Sequence, residues 1–169
     1  MITPHSVRLR PASHGDWPLI RRWLGRADIE AWWGPRASTE AEVLIALDSP
    51  SAICRMIEST ATRETIGYGH AIDAATWGAE LPEDLAPGTW DIDLFIAAEA
   101  HRGNGAGAAA LGLLCDEVFE TTLAVAVAVF PSIANERAVR AYEKAGFLWK
   151  RVCANPHGGH AWFMTAERL

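Results

Sequence analysis

The sequence predicts one mixed α/β domain in which helices cover a central sheet. Several short segments alternate between polar and apolar residues, as strands do when one of their faces is buried. Other segments repeat their apolar residues every three or four positions, which is typical of helices that pack on one side. The two kinds of segment are interleaved along 169 residues, a usual length for one domain. The predicted order is strand, helices, three strands, helix, strand, helix and two strands, and it defines a mixed α/β sandwich.

The first predicted elements are a strand and an amphipathic helix. Residues 6–10 alternate between polar and apolar, and Pro11 ends this strand. Ser13, followed three residues later by Asp16, is typical of a helix start. Apolar residues then recur at helical spacing until Gly25, where we expect the helix to end.

Two further helical segments follow. They lie at residues 28–33 and at residues 39–47, and Ser38 is the expected cap of the second. Trp32 and Trp33 are adjacent, and neighbouring helix positions point in different directions. The two tryptophans therefore cannot both enter one core, and one of them is a candidate wall for a substrate site.

A hairpin and a long loop come next. Residues 52–58 and 65–72 predict paired strands, in which Gly67 and Gly69 mark a bulge or a close approach of backbones. Residues 74–88 contain prolines, glycines and acids without a clear period, so we expect a loop there. Loops this long inside compact domains are often functional, and this one is a candidate lid or specificity loop.

A strand that runs into a glycine-rich turn is the most informative stretch for function. Residues 91–97 predict the strand, and Arg102-Gly-Asn-Gly-Ala-Gly107 follows it before an apolar helix. The glycines let backbone amides approach an anion, and the dipole of the helix adds positive potential at the same place. We therefore expect a pyrophosphate here, and a tight turn without a ligand is the alternative that the pattern leaves open.

Two common nucleotide-binding motifs fit this turn poorly. A P-loop would end in Gly-Lys-Ser or Gly-Lys-Thr, whereas three alanines follow Gly107. A dinucleotide-binding turn would follow the first strand of a βαβ unit, whereas this turn lies past the middle of the sequence.

The remaining sequence predicts a central strand, a helix and a closing strand pair. Large and small apolar residues alternate over residues 123–130, as in a strand that is covered on both faces. Residues 135–145 have helical periodicity, and Gly146 is the expected left-handed cap. Residues 147–154 and 161–165 predict the last two strands.

Composition narrows the class of protein. Hydrophobic residues make up 50% of the sequence, enough for a substantial core. The longest apolar run, residues 123–130, is far shorter than the roughly 20 residues that span a bilayer, so we expect a soluble cytoplasmic protein without a membrane partner. Cys54, Cys115 and Cys153 are odd in number and lie in apolar segments, which predicts reduced core thiols.

The charge pattern favours a cationic substrate. A net charge of −6 argues against nucleic acid as a partner, because binding a phosphate backbone needs many Lys and Arg contacts. Between Arg63 and Arg102 the sequence has no Lys or Arg but many acids, and a cleft lined by even a few of them would attract cations. His157 and His160 lack Cys or carboxylate partners at ligand spacing, so we expect no metal.

With these elements placed, the sequence resembles the GNAT superfamily of acyl-CoA-dependent N-acyltransferases over nearly its whole length. The segment from Arg102 to Gly107 is similar to the family's Gln/Arg-x-x-Gly-x-Gly/Ala loop. The family's second pattern consists of an Asn, an Arg-Ala, a Tyr and a Gly-Phe. In this sequence it corresponds to Asn135, Arg137-Ala138, Tyr142 and Gly146-Phe147. The resemblance implies a single domain over residues 1–169 with a mostly antiparallel sheet, a splay between strands 4 and 5, and helices on both faces.

The resemblance also implies acetyl-CoA as the co-substrate, with its pyrophosphate in the loop and its pantetheine arm in the splay. The implied cofactor-binding residues are Phe95, Ile96, Ala97, Arg102, Gly103, Asn104, Gly105, Ala106, Gly107, Asn135, Arg137 and Arg140. Arg137 and Arg140 belong with Lys144 to a basic helix face, for which the 3′-phosphate of CoA is one explanation and a solvated surface is the other. Asn135 is a candidate for a hydrogen bond to pantetheine or for a plain helix cap.

A closer resemblance is to the aminoglycoside 6′-N-acetyltransferases. The segments around Trp23, Trp32-Trp33 and Ile66-Gly-Tyr68, and the run from Arg137 to Phe147, are similar to that branch. One position departs from it. The branch often has an Asp before the Pro that follows the fifth strand, and this sequence has Phe130 there.

Acetyl transfer to an amine requires a group that binds and deprotonates the amine and an acid that protonates the leaving thiolate. Asp91 and Asp93 share one strand face, and Asp93 is our choice to bind the ammonium and, directly or through water, to accept its proton. An ordinary Asp, with a pKa of about 3.9, is a poor base, so binding of the ammonium alone is the alternative. The resemblance implies that backbone amides near Phe95 and Ile96 polarise the thioester, and that Tyr142 is the acid. The candidate substrate-binding residues are Trp32, Trp33, Asp91 and Asp93.

We therefore expect an acetyl-CoA-dependent N-acetyltransferase whose acceptor is a small cationic amine, with an aminoglycoside first. Acetylation of a protein N-terminus, a polyamine or a siderophore precursor is the alternative within enzymes. A non-catalytic acyl-CoA-binding regulator is the alternative from another class. Either a monomer or a homodimer is compatible with the sequence.

Overall fold

A computed structural model describes residues 6–77, 82, 84–155 and 158–168. Its strands are β1 (Val7–Pro11), β2 (Ile53–Ser59), β3 (Thr65–Asp73), β4 (Thr89–Ile96), β5 (Ala126–Val129), β6 (Leu148–Ala154) and β7 (His160–Glu167). Its α-helices are α1 (Trp17–Leu24), α2 (Ala27–Trp33), α3 (Arg36–Asp48), α4 (Ala74–Trp77), α5 (Ala106–Thr121) and α6 (Glu136–Lys144).

The strands form one sheet in the order β1-β2-β3-β4-β5-β7-β6. Every neighbouring pair is antiparallel except β4 and β5, which are parallel. The β4–β5 pairing begins at Thr89 opposite Ala126 and ends at Asp91 opposite Ala128, although β4 continues to Ile96. The second half of β4 therefore separates from β5, and the predicted splay between strands 4 and 5 is confirmed.

Helices cover both faces of the sheet. One hydrophobic cluster joins α5 and α6 to strand residues such as Ala71 and Ile92. A second joins α1, α2 and α3 to Tyr68, Ile72 and Phe95, and a third packs the start of α5 against β1 to β4. Neighbouring residues of one strand thus enter different clusters, because successive side chains point to opposite faces.

A close contact between β3 and β4 depends on glycine. A Cβ atom at Gly67 would overlap the carbonyl oxygen of Phe95, and one at Gly69 would lie 2.8 Å from Cβ of Leu94. The register of β2 against β3 also shifts between Ile57 and Glu58, close to Gly67. The predicted bulge and close backbone approach are both present.

Two elements begin three residues away from the predicted position. The third helix begins at Arg36 with Pro35 at its N-cap, so Ser38 lies inside the first turn and the prediction that it caps the helix is wrong. Strand β5 begins at Ala126 because its pairing with β4 begins there, whereas Leu123 is almost fully exposed.

The predicted loop at residues 74–88 opens instead with the short helix α4. Residues 78–81 and 83 lie outside the described residues, so the lid remains a prediction.

Two further sequence predictions concern the membrane and the thiols. No helix in the described ranges is long and apolar enough to cross a bilayer. Cys54 and Cys115 are buried free thiols, as predicted for core positions. Cys153 is a free thiol as well, but it is only half-buried and therefore is not a core residue.

Candidate active site

A cleft of about 1020 Å³ lies at the splay. It is lined by β4 from Asp91 to Ile96, by α2, by the glycine turn, and by α6 with the residues that follow β5. Most of the predicted site residues line it: Trp32, Trp33, Asp91, Asp93, Phe95, Ile96, Arg102, Gly103, Gly105, Gly107, Asn135, Arg137, Arg140 and Tyr142. Ala97, Asn104 and Ala106 were also predicted and are not among the lining residues.

The glycine turn has the geometry of an anion site. Gly103 and Gly105 have φ angles of +74° and +94°, in the left-handed region that favours glycine. A Cβ at either position would meet nothing within 4 Å, so the space beside the backbone is open. Helix α5 begins directly after Gly105, and its first amide groups have no partners within the helix. Asn104 contributes a buried Oδ1 atom that has no hydrogen-bond partner among the described residues.

The open edge of β4 presents alternate peptide groups to the cleft. The amide of Ala97 donates to Ile66 O at 2.7 Å on the β3 side, so the peptide groups of Leu94 and Ile96 face the opposite edge. Two carbonyls on that edge are occupied, since Trp33 Nε1 donates to Leu94 O at 3.3 Å and Arg102 Nε donates to Ile96 O at 2.7 Å.

The backbone amides on this edge are not equivalent. The amide of Leu94 faces the Asp93 carboxylate closely enough to lower its pKa, and the amide of Ile96 lies on the edge that β5 leaves uncovered. The expectation that Phe95 also contributes an amide is wrong, because its N–H faces β3.

Carboxyl groups converge on the cleft from β4 and α3. Burial, together with the negative charge of Glu42, raises the pKa of Asp91 to about 7. Burial, followed by the charges of Asp91 and Glu42, raises the pKa of Asp93 well above its usual value. This end of the cleft is therefore rich in carboxyl groups and poorly hydrated, a setting in which a bound cation would stabilise their ionised forms.

Glu42 is the acid that the sequence analysis missed. It lies on α3 and lines the cleft, but nothing distinguishes it in the sequence from the other acids of the same helix, Glu40 and Asp48.

The two adjacent tryptophans diverge as predicted. Trp33 is half-buried, and its ring meets the ring of Phe95 edge-on with centroids 4.8 Å apart. Trp32 is 53% exposed, and both residues line the cleft. Trp33 therefore forms a fixed wall, whereas Trp32 lies at the mouth.

His70 is a second residue that the sequence analysis missed. It lies directly opposite Asp93 in the β3–β4 ladder, so the two side chains leave the sheet on the same face. Burial lowers the pKa of His70 to about 4, and its Nδ1 lies 3.0 Å from the hydroxyl of Tyr68. The neutral imidazole of His70 is thus the cross-strand neighbour of Asp93.

Tyr142 lies on α6 and approaches the cleft from the other face of the sheet. Its side chain is buried, and burial, together with the charges of Asp93 and Asp91, raises the pKa of its phenol above the usual value. The phenol is therefore neutral and able to donate a proton across the physiological pH range.

The polar residues near the start of α6 have identified partners. Asn135 caps the helix, since its Oδ1 accepts from the amide of Ala138 at 3.2 Å. Arg140 pairs with Glu136 at 3.2 Å, and Arg137 is exposed at the rim of the cleft. The cap explains Asn135 structurally, and a contact with pantetheine remains a prediction.

The predicted absence of a metal was based on the pair of histidines near the C-terminus of the sequence. In the described part of the chain, no group of three or more His, Cys, Asp or Glu side chains is arranged to hold a metal ion. His160 is exposed, and His157 lies outside the described residues.

Comparison with known proteins identifies the family. The family described as acetyltransferase (GNAT) domain matches residues 12–153. The chain belongs to the GNAT acetyltransferases. The predicted family and enzyme class, an N-acetyltransferase, are therefore confirmed.

The chain is similar to an aminoglycoside acetyltransferase and to a kanamycin resistance protein. The aminoglycoside N(6')-acetyltransferase type 1 of Klebsiella pneumoniae is 30% identical over 163 residues, which cover 90% of this chain and 79% of that protein. A kanamycin resistance protein of Rhizobium radiobacter is 33% identical over 76 residues, which cover 45% of this chain and 70% of that protein.

Solved structures confirm the GNAT fold. The aminoglycoside acetyltransferase AAC(6')-Ib in complex with coenzyme A and kanamycin superimposes with a TM-score of 0.81 at 29% identity, over 96% of this chain and 95% of that one. A spermidine N-acetyltransferase of Vibrio cholerae, at 16% identity and a TM-score of 0.72 over 96% of this chain and 95% of that one, shares the fold alone.

Proposed function

We propose that this GNAT enzyme transfers the acetyl group of acetyl-CoA to a primary amine of a small polycationic acceptor, the 6′-amine of an aminoglycoside. One observation carries the proposal: a single cleft joins a glycine turn that suits a pyrophosphate to the carboxyl groups of Asp91 and Asp93. The similarity to aminoglycoside N(6')-acetyltransferases supports the choice of acceptor.

The donor would occupy the turn and the open edge of β4. The turn offers backbone amides around Gly103 and Gly105 to the pyrophosphate, and the start of α5 adds its dipole. The exposed side chains of Arg137 and Lys144 line the same cleft and supply positive charge for the 3′-phosphate. The amide of Ile96, on the uncovered edge, is the group we assign to the thioester oxygen.

The acceptor would bind at the acidic end. The carboxyl groups of Asp91, Asp93 and Glu42 attract a cationic amine, and Trp33 forms the wall against which the acceptor packs. An ordinary Asp, with a pKa of about 3.9, is a poor base for an ammonium group. The raised pKa of Asp93 makes it a better proton acceptor, so we assign to it both the binding and the deprotonation of the amine.

Three proton movements accompany the transfer. The ammonium gives one proton to Asp93, and the neutral amine nitrogen forms a bond to the acetyl carbon as the bond from that carbon to sulfur breaks. Tyr142 protonates the leaving thiolate, a role that its neutral buried phenol suits. The nitrogen loses a second proton as the amide forms, and this proton returns to the phenolate of Tyr142 through solvent.

Release of free thiol from acetyl-CoA with a panel of amines tests the proposal. We expect turnover with kanamycin and tobramycin. Turnover only with spermidine, N-terminal peptides or siderophore precursors would contradict the aminoglycoside assignment while preserving the acetyltransferase. Tight binding of coenzyme A without turnover on any amine would indicate a regulator and contradict the proposal as a whole.

A further inference from the structure

A cluster of ion pairs joins α2 to the turn that precedes α5. Asp28 Oδ2 accepts a hydrogen bond from Nη2 of Arg26 at 2.6 Å and forms an ion pair with Nη2 of Arg102 at 2.9 Å. Arg26 Nε also reaches the other carboxylate oxygen at 3.0 Å. We call Arg26, Asp28 and Arg102 the α2 bridge. One carboxylate thus holds two guanidinium groups that are far apart in the sequence.

Each arginine of the α2 bridge also holds a carbonyl at the end of β4. Arg102 Nε donates to Ile96 O at 2.7 Å, and Arg26 Nη1 donates to Ala97 O at 2.8 Å. Asp28 and the two arginines therefore connect the start of α2 to two consecutive carbonyl groups, one at the last residue of β4 and one at the residue after it. Planar guanidinium groups that make several hydrogen bonds each fix orientation better than single contacts do.

The two ends of the α2 bridge lead to different parts of the cleft. Arg102 begins the glycine turn, where the pyrophosphate of the donor would bind. Asp28 lies in the first turn of α2, and the same short helix ends with Trp32 and Trp33, which line the acceptor end. A displacement of Arg102 would therefore also displace Asp28 and the helix that carries it.

The charge of the α2 bridge favours an anion in the turn. Hydrogen bonds from Arg26 and Arg102 hold the pKa of Asp28 below its usual value, so the carboxylate remains ionised at neutral pH. Two guanidinium groups and one carboxylate leave a positive excess beside the glycine turn. Glu99 lies 3.8 Å from Arg26, but its side chain is largely exposed and offsets this excess only weakly.

We propose that Asp28 is a positioning residue that acts through Arg102, so that occupation of the glycine turn by the donor fixes α2 and its tryptophan wall for the acceptor. The inference rests on the proposed function only in taking coenzyme A as the ligand of the turn. It predicts positive coupling between the donor and acceptor ends of the cleft.

Hydrogen exchange with and without saturating coenzyme A tests this coupling without any acceptor. In the native protein, coenzyme A should slow amide exchange at residues 102–109 and also at residues 27–33, by about fivefold or more. In Asp28→Asn, residues 102–109 should still be protected, because the turn amides are unchanged. Protection of residues 27–33 in that variant should fall below about twofold.

Glu40→Gln is the matched control. Glu40 also receives two arginines, Arg21 at 3.3 Å and Arg36 at 2.7 Å, but it does not line the cleft. This variant should keep the protection of both segments, and thermal melting should show that both variants are folded.

Three outcomes would overturn the inference. Protection of residues 27–33 in Asp28→Asn at the native level would show that coupling does not pass through Asp28. Protection of residues 102–109 alone in the native protein would exclude coupling and leave the proposed function intact. Protection of neither segment would contradict binding of coenzyme A, and with it both the inference and the proposed function.

Discussion

Asp93 and Tyr142 lie on opposite faces of the sheet and nevertheless line one cleft. Asp93 shares its face with Phe95 and the helices α1 to α3, whereas Tyr142 packs in the cluster of α5 and α6. They reach the same space because β4 and β5 stop pairing at Asp91. The splay thus allows the proton acceptor and the proton donor of the proposed reaction to act from opposite sides of the thioester.

Replacing Asp93 by Asn should impair use of the amine more than binding of the donor. The amide keeps the shape but loses the negative charge and the ability to accept a proton, so kcat/KM for kanamycin should fall by about 100-fold. The KM for acetyl-CoA should change less than about threefold, since Asp93 does not belong to the glycine turn. Steady-state thiol release measures both constants.

A matched control for that variant is Asp48→Asn, which changes an exposed acid whose ion-pair partner in the described part of the chain is His14. It should leave both constants unchanged. Equal losses for donor and acceptor in Asp93→Asn would instead indicate a structural role for Asp93.

Replacing Tyr142 by Phe should slow turnover with little change in affinity for acetyl-CoA. The ring remains in its buried position beside Phe147, and only the proton donor to the thiolate is lost. We expect kcat to fall by about tenfold to 100-fold in initial-rate measurements.

Tyr68→Phe makes the same change at the other tyrosine of the sequence, which is fully buried and does not line the cleft. This variant should lower the free energy of unfolding by about 1 kcal/mol, because the hydrogen bond to His70 is lost. Its kcat should be unchanged. An unchanged kcat in Tyr142→Phe would remove Tyr142 as the acid.

The raised pKa of Asp91 predicts a pH dependence of acceptor binding. Below pH 7 the carboxyl group holds a proton and no longer attracts a cation, so KM for the amine should rise as the pH falls from 8 to 6. Asp91→Asn should flatten this rise. The same slope in the native protein and in the variant would contradict the assignment.

The raised pKa of Asp91 also makes the free energy of unfolding depend on pH. Between its unfolded pKa, about 3.9, and its folded pKa, the folded protein binds more protons at this residue than the unfolded chain does. The contribution of Asp91 to stability therefore decreases as the pH rises through that window and is constant above pH 7. Melting temperatures of the native protein and Asp91→Asn across the window measure this difference.

Phe130 stands where the aminoglycoside branch often has an acid. Comparing Phe130→Asp with Phe130→Asn shows the effect of a negative charge there, because the two new side chains have nearly the same shape. Phe130 stacks on Phe163 with ring centroids 5.4 Å apart, and both Phe130→Asp and Phe130→Asn lose this stacking. Only the Asp variant adds a carboxylate to the cleft. We expect the KM of the Asp variant for kanamycin to be about fivefold lower than that of the Asn variant, because the new carboxylate would form one partly exposed ion pair with the acceptor. Equal KM values would show that the acceptor does not reach this position.

The sequence identified those parts of the site that local chemistry determines. The glycine turn was predictable because Gly103 and Gly105 adopt left-handed angles that other residues rarely adopt. Asn135 and Tyr142 were proposed from the resemblance to the second GNAT pattern, whereas Gly146 was predictable from the helical periodicity that ends beside it.

The missed features depend on contacts between distant segments. Glu42 and His70 reach the acids of β4 only through tertiary packing, and nothing in their own neighbourhoods marks them. The pair of Asp28 with Arg102 likewise joins a helix start to a turn on the other side of the site. The early start predicted for β5 had a similar cause, since the alternation at Leu123 cannot show where pairing with β4 begins.

A matched pair of acceptors tests the central claim most directly. Neomycin has an amine at the 6′ position, and paromomycin has a hydroxyl there and is otherwise the same molecule. Thiol release from acetyl-CoA should proceed with neomycin, at one equivalent of thiol per acetyl group found on the 6′ nitrogen, and should be strongly reduced with paromomycin. Equal turnover of the two, or turnover of neither, would contradict the assignment of this cleft to 6′-amine acetylation.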